Sequence, residues 1–518
     1  MSTPPDRAQA AAFVQSCVAF TTNVQFTLSS ALPASKAPTA VLLLSREGDE
    51  AATAYFAALL PTLGFEGSAW VGDLVRARNT SFTTVLPPGN PALVSARIAT
   101  VASRHNCALR PDLITKAVAD AVAEAAGGAV SVVVSEGLSQ RSNLLAIAQA
   151  VAKGANRSFT AKAGAAERAF LSTAAPVVVY LHTVAEGARL AALSDVALAI
   201  QLCMRLVDAP TNLLDTVTFT NIATQLATAR GCRASVIAGE DLRMQGYGGV
   251  YGVGKAAEFP PALVSLSYAP AASTGPKVAF VGKGIVYDTG GLAIKTPATG
   301  MCTMKCDMGG AAAVLCGFLA LAAMGATVPI DCVLCLADNA IGPLSQRNDD
   351  IVVLKSGLTI EINNTDAEGR LVLSDGVFHA ASLMGDAPAV VLDMATLTGA
   401  QGICTGQAHA AVMTTTDDWE ARAVAAGRAC GDLLFPILYC PEFLNPEFHS
   451  KVADHRNSVR NRSNAQTSCA GQFIANSLPK SFGGAFVHVD LAGPAFRGEV
   501  ATGFGVALLV QLFGTDRI

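Results

Sequence analysis

The stretch Asn364-Thr365-Asp366-Ala367-Glu368-Gly369-Arg370-Leu371 constrains this chain more than any other. It sets two carboxylates and a guanidinium side by side, between an apolar strand (Leu358 to Ile362) and an apolar helix. In an extended segment, residues two apart face the same side, so Asp366 and Glu368 are expected to point at one object. Carboxylates held that close repel each other unless a cation or a shared proton lies between them. Gly369 is expected to let the backbone turn tightly after them. A lone Asp-x-Glu is usually a solvated acidic turn; the rest of the sequence decides against that here.

Upstream lies a second cluster, Val281-Gly282-Lys283-Gly284-Ile285-Val286-Tyr287-Asp288-Thr289-Gly290-Gly291, after a strand-like run from Lys277 to Val281. It leads to Lys295 and then to Met304-Lys305-Cys306-Asp307-Met308-Gly309-Gly310. Glycines flank the charged residues, as expected where backbone approaches a ligand closely. Asp288, Asp307, Asp366 and Glu368 offer oxygen ligands, with Lys283 and Lys295 among them. Four carboxylates in one pocket suit a pair of divalent metals about 3.5–4 Å apart, a geometry that clamps a hydrolytic transition state.

These motifs, in this order, resemble the leucyl aminopeptidase family of dinuclear metallopeptidases. The likeness continues at Asp208-Ala209-Pro210-Thr211-Asn212, at Ala395-Thr396-Leu397-Thr398-Gly399-Ala400 and at Val489-Asp490-Leu491-Ala492-Gly493, covering residues 190 to 518. The N-terminal third carries no comparable signal. The resemblance implies two divalent ions per chain, zinc or manganese with cobalt a further option, held by Lys283, Asp288, Asp307, Asp366 and Glu368. Asp288 and Glu368 would be shared between the ions, and the Lys283 amine would bind unprotonated, a form that a nearby dication favours. It implies hydrolysis of the first peptide bond by a water lying between the ions. Lys295 would stabilise the oxyanion, and Arg370 would hold a bicarbonate acting as general base. For Arg370 the plain alternative is a neutralising partner for Asp366 and Glu368.

Met304, Thr396, Leu397 and Thr398 match family positions lining the pocket for the substrate's first side chain, expected to be leucine or another apolar residue. The resemblance further implies peptide substrates and a cytosolic homohexamer. The chain departs from the family pattern by one extra residue between Lys295 and Asp307. It also matches only in part over Ala453 to Leu478, where Arg456, Arg460 and Arg462 concentrate. Both departures bear on substrate preference more than on metal chemistry.

At 518 residues the chain exceeds what one core usually supports. The expected fold is α/β throughout. A smaller N-terminal α/β domain (1–185) precedes a larger catalytic α/β domain (186–518) with a central mixed sheet flanked by helices, and a connecting helix lies near 190–206. In the first part the expected strands are Thr39 to Leu44, Ser81 to Leu86, Val130 to Val134 and Val177 to Leu181. The expected helices are Glu50 to Leu60, Leu93 to Ala102, Ile114 to Ala126 and Leu144 to Lys153. Gly231 to Gly291 reads strand, loop, strand, glycine turn.

With 51% apolar and 15% charged residues the chain is not of the disordered class. A net charge of −4 gives no electrostatic footprint for nucleic acid. The N-terminal segment lacks a secretory signal, and thirteen scattered cysteines read as reduced thiols, so a cytoplasmic protein is expected. Met308 to Ile330 is long and uncharged enough to span a bilayer. Its alanine and glycine content and its start on a candidate metal ligand point instead to a buried helix, with no membrane partner. Cys332-x-x-Cys335 sits in an apolar run and reads as buried strand.

The rival from another class is a nucleotide-binding protein. Gly249-x₄-Gly254-Lys255 fits a phosphate loop up to Ala256, which stands where a magnesium-ligating hydroxyl belongs. A third reading is a noncatalytic or DNA-binding member of the family. No His-Glu-x-x-His occurs, which excludes the histidine-ligated zinc peptidases.

Overall fold

Strands buried on both faces read as near-continuous apolar runs and belong inside parallel sheets covered by helices. Two such sheets organise the computed structural model, which describes residues 5–28, 38–47, 49–63, 83–85, 92–98, 102–155, 159–161, 175–182, 187–296 and 300–518. The chain divides into two units. The smaller comprises Phe20–Gln201, Ala426–Leu433 and Gly514–Ile518; the larger comprises Met1–Ala19, Leu202–Ala425 and Leu434–Phe513. The division falls inside the helix Gly187–Asp208, and the helix Pro5–Val18 groups with the larger unit.

The smaller unit holds β1 (Val24–Leu28), β2 (Ala40–Arg46), β3 (Thr83–Val85), β4 (Ala92–Ile98), β5 (Val130–Val134) and β6 (Val177–Leu181) in the order β1-β6-β5-β2-β4-β3. Every neighbouring pair is parallel except β3 with β4. Helices Glu50–Leu59, Pro111–Glu124 and Leu144–Gly154 alternate with the strands, and Asp49 caps the first by accepting from the Ala52 N–H at 2.9 Å. The expected helix at Leu93 to Ala102 is corrected: its described part is β4. Its alanines suggest a helix, but Leu93, Val94, Ala96 and Ile98 are buried in a sheet, and tertiary burial overrides local propensity. Of Ser81 to Leu86, only β3 lies within the described residues.

The larger unit is built on a mixed eight-stranded sheet of β7 (Arg233–Ala238), β8 (Ala262–Tyr268), β9 (Val278–Asp288), β10 (Ile330–Asn339), β13 (Val390–Ala395), β14 (Ala410–Thr414), β15 (Leu434–Pro436) and β17 (Ala485–Asp490). Its order is β15-β14-β17-β13-β9-β10-β8-β7. The central strands β17, β13, β9 and β10 are parallel. A small sheet pairs β11 (Ile351–Val353), β12 (Thr359–Glu361) and β16 (His455–Arg456).

Helix Gly309–Ala323 is buried from Gly309 to Leu321, as expected of a core helix rather than a membrane span. Strand β9 runs on through the glycines to Asp288. A Cβ on Gly282 would come within 2.5 Å of the Ala311 Cα, so this glycine serves close helix–sheet packing rather than approach to a ligand. Gly231 to Gly291 holds two helices, Glu240–Met244 and Gly248–Gly254, in place of the expected loop.

Candidate metal centre

Three elements deliver the predicted carboxylates. Strand β9 carries Lys283 and Asp288, a short 3-10 turn (Met304–Met308) carries Asp307, and the loop after β12 carries Asp366 and Glu368. That loop is not extended, which corrects the same-face argument. Asp366 lies in a turn closed by Ala367 N–H to Asn364 O (3.2 Å), and Glu368 has helical angles as N-cap of helix Gly369–Ser382. The turn and the helix start, rather than strand alternation, bring the carboxylates together. Gly369 also has a different reason from the expected one: a Cβ there would meet the Lys283 Cε at 2.5 Å, so glycine leaves room for the lysine.

Asp288, Asp307 and Glu368 are all buried, and each places a carboxylate oxygen within 4.8 Å of the others. Lys283 Nζ lies 2.7 Å from Asp307 Oδ2 and 3.0 Å from Glu368 Oε1, and donates to Thr396 O at 2.9 Å. Asp366 stands outside the triad. Its Oδ1 is 2.5 Å from Lys295 Nζ, which also lies 3.0 Å from Asp288 Oδ2. When all are ionised, four carboxylates face two ammoniums, an excess of two negative charges, and Glu368 Oε2 has no hydrogen-bond donor.

The electrostatics register that excess. Burial and the nearby Glu368 push Asp288 up to about 6, although Lys295 and Lys283 oppose this. Burial holds Asp307 well above the carboxylate range against the pull of Lys283. Burial works against the Lys283 ammonium, but Asp307, Glu368 and Asp288 outweigh it and hold its pKa above that of ordinary lysine. A metal recruiting this amine must therefore displace a firmly held proton. An oxygen-rich, net-negative buried set with an unpartnered carboxylate oxygen fits divalent cations.

Arg370 is buried, its Nε and Nη1 have no partner, and no carboxylate of a described residue lies within ion-pair distance. Burial lowers its pKa to about 10. Glu368 still favours the Arg370 charge through space, so part of the neutralising role stands without a direct ion pair; the open donors of this buried cation also fit an anion. Met304 is half-buried at the start of its turn. Thr396 Oγ1 donates to Asp307 Oδ1 at 2.9 Å, and Thr398 Oγ1 donates to Asp490 Oδ2 at 2.7 Å, so both hydroxyls are committed within the protein. Leu397 packs partly buried against the main core. A cavity of about 840 Å³ lined by Ala400, Ile403, Tyr439, Arg462 and Thr467 includes none of the predicted residues, although Thr467 Oγ1 meets Thr398 Oγ1 at 3.2 Å.

Sequence reasoning missed three supporting residues. Asn339 Nδ2 donates to Asp288 Oδ1 at 2.8 Å and to Thr365 O at 3.1 Å. Asp490 accepts from the Leu397 N–H at 3.1 Å, and Asn457 holds the 363–367 loop. Asp490 stands inside a family-like motif, which was a usable signal; Asn339 and Asn457 had none. The phosphate-loop rival fails, because Gly248–Gly254 is helical and a Cβ on Gly249 would meet Leu371 O at 2.3 Å. Cys332 and Cys335 are fully buried in β10, as expected.

Comparison with known proteins places this geometry in context. The profile for the cytosol aminopeptidase family, catalytic domain, matches residues 201–510, and that for the M17 aminopeptidase N-terminal domain 2 matches residues 89–165. A probable aminopeptidase, NPEPL1 of Mus musculus, is 50% identical over 362 residues, covering 69% of this chain and 68% of that protein. The chain thus spans about two thirds of that relative's length. The structure of leucyl aminopeptidase from Trypanosoma brucei in complex with bestatin superposes with a TM-score of 0.92 at 44% identity, covering 99% of both chains. The bottromycin maturation enzyme BotP in complex with Mn has a TM-score of 0.75 at 25% identity, covering 92% of this chain and 99% of that one.

Proposed function

The chain belongs to the cytosol aminopeptidase family, and from that premise we propose that it is a metal-dependent aminopeptidase removing an N-terminal leucine or other apolar residue from peptides. The observation that carries this is the buried triad Asp288, Asp307 and Glu368, with negative charge in excess of the lysines beside it. Lys283, Asp288, Asp307, Asp366 and Glu368 would hold two divalent ions, manganese or zinc, with cobalt a third option; the manganese in BotP supports the first. Such ions supply Lewis acidity toward a carbonyl oxygen and lower the pKa of water.

The protein's own groups do the rest. Lys295, kept charged by Asp288 and Asp366 against burial, offers a fixed positive charge for an oxygen that gains negative charge. Asn339 holds Asp288 in orientation. Arg370, with Nε and Nη1 unpartnered, would hold a bicarbonate as its anion. A free α-amine would find a ligand position on a metal held here, and half-buried Met304 offers an apolar contact for the substrate's first side chain. The name of the family supports a cytosolic setting, and a homohexamer is proposed on family resemblance alone.

The test is hydrolysis of leucinamide against N-acetyl-leucinamide by the full chain with Mn²⁺ or Zn²⁺, with and without chelator. Cleavage of the free-amine substrate alone, abolished by chelation, is expected. Equal cleavage of both, or full activity without metal, would overturn the reading.

A further inference from the structure

We propose that Asn457 is a positioning residue for the metal centre, fixing the loop that presents Asp366 and Glu368; this rests on the reading of those two carboxylates as ligands. Asn457 is fully buried. Its Oδ1 accepts from the N–H groups of Asn363 (2.9 Å) and Asn364 (3.2 Å). Its Nδ2 donates to the carbonyls of Asn364 (2.6 Å) and Ala367 (3.2 Å). A carboxamide has two donor hydrogens and two acceptor lone pairs, and all four are committed to one short stretch of backbone. That stretch contains Asp366 and ends one residue before Glu368. The Asn457 carboxamide thus serves the loop as a template in place of a paired strand.

Asn457 is itself held from behind. Strand β16 pairs with β12 immediately before it, and its own N–H donates to Glu361 O at 3.1 Å. Asn363 and Ser458 exchange two further bonds, Ser458 N–H to Asn363 Oδ1 at 2.9 Å and Asn363 Nδ2 to Ser458 O at 3.3 Å. Next door, Arg456 grips Glu361 through Nε at 3.0 Å and Nη2 at 3.2 Å. Arg456 therefore steadies the same segment without touching residues 363–367, which makes it the natural control.

Metal ligation tolerates displacements of only about 0.2 Å, and losing a group that orients a ligand typically costs about 10–100-fold in metal affinity. Asn457→Asp keeps the shape but turns two donors into acceptors facing carbonyl oxygens. Asn457→Ser keeps one donor and one acceptor, guarding against failure of the first variant to fold. Mn²⁺ binding by the metal-free full chain is measured by titration calorimetry, beside the melting temperature without metal.

Asn457→Asp should weaken Mn²⁺ binding by about 10–100-fold, with Asn457→Ser between it and the wild type. Arg456→Ala should lower the melting temperature and leave Mn²⁺ affinity unchanged. Wild-type affinity in the Asn457 variants, or affinity tracking melting temperature across all variants, overturns the proposal. A wild-type chain that takes up no Mn²⁺ would instead bring down the metal reading beneath it.

Discussion

Strand β5 of the smaller unit and strand β9 of the larger are both interior strands with parallel neighbours on either side. β5, Val-Ser-Val-Val-Val, is buried along its length and carries no charge. β9 is buried almost as completely, yet includes Lys283 and Asp288, at 2% and 3% exposure. Burying apolar surface stabilises at about 25 cal/mol per Å², whereas a buried ion costs several kcal/mol unless well paired. The same architecture therefore supports two regimes. One sheet is stabilised by what it buries; the other accepts a cost, offset by ion pairs, to gather charge within β9 and at its end. The difference locates the chemistry without appeal to the fold, which by itself says little about function.

The comparison breaks first at Glu368. Glu368→Ala removes a member of the buried triad and one partner of Lys283, and should abolish metal uptake. Turnover should fall beyond the ~10²–10³ expected for loss of a single charge-stabilising group. Elemental analysis of the purified variant decides it: full metal content would remove Glu368 from the ligand set.

Lys295→Ala comes next, with turnover reduced by about 10²–10³ and metal content equal to that of the wild type. Release of metal, or unfolding, would show that Lys295 is only the charge partner of Asp288 and Asp366.

On the other side of the comparison, Leu43 in β2 is fully buried in the smaller unit's core. Leu43→Ala should cost about 2–5 kcal/mol in urea unfolding while Mn²⁺ affinity in the folded protein stays unchanged. Lost affinity would mean that the two regimes are coupled.

The smallest effect concerns pH. His379 is buried between Tyr247 Oη (2.7 Å) and Ser265 Oγ (3.0 Å), and burial with the Lys355 charge lowers its pKa to about 4. The folded value lies below the unfolded one, so the fold holds the neutral ring. Its contribution is full above about pH 6.5 and is lost as pH falls toward 4. At about 1.36 kcal/mol per unit, this amounts to at most about 3 kcal/mol. His379→Gln should flatten the acid limb of stability against pH. An unchanged limb would assign acid sensitivity to other groups.

Much of this was legible in the chain itself. The runs Val130–Val134 and Val177–Leu181 are strands at their expected ends, and the uncharged stretch after Met308 is a buried helix. Asp288, Asp307 and Glu368 meet as expected, because their motifs are dense, charged and set among apolar elements. These are local signals, carried by residue type and period. What the sequence left open depends on neighbours far along the chain. Leu93 onward becomes a strand because β2 and β3 flank it, a fact about partners rather than propensity. Gly369 is glycine because Lys283 needs its space, and the 363–367 loop has its shape because Asn457 meets it across the fold. Covalent neighbours determine which groups are present and how they alternate. Only packing decides which of them touch, because burial obliges each polar group to find a partner wherever the chain has brought one.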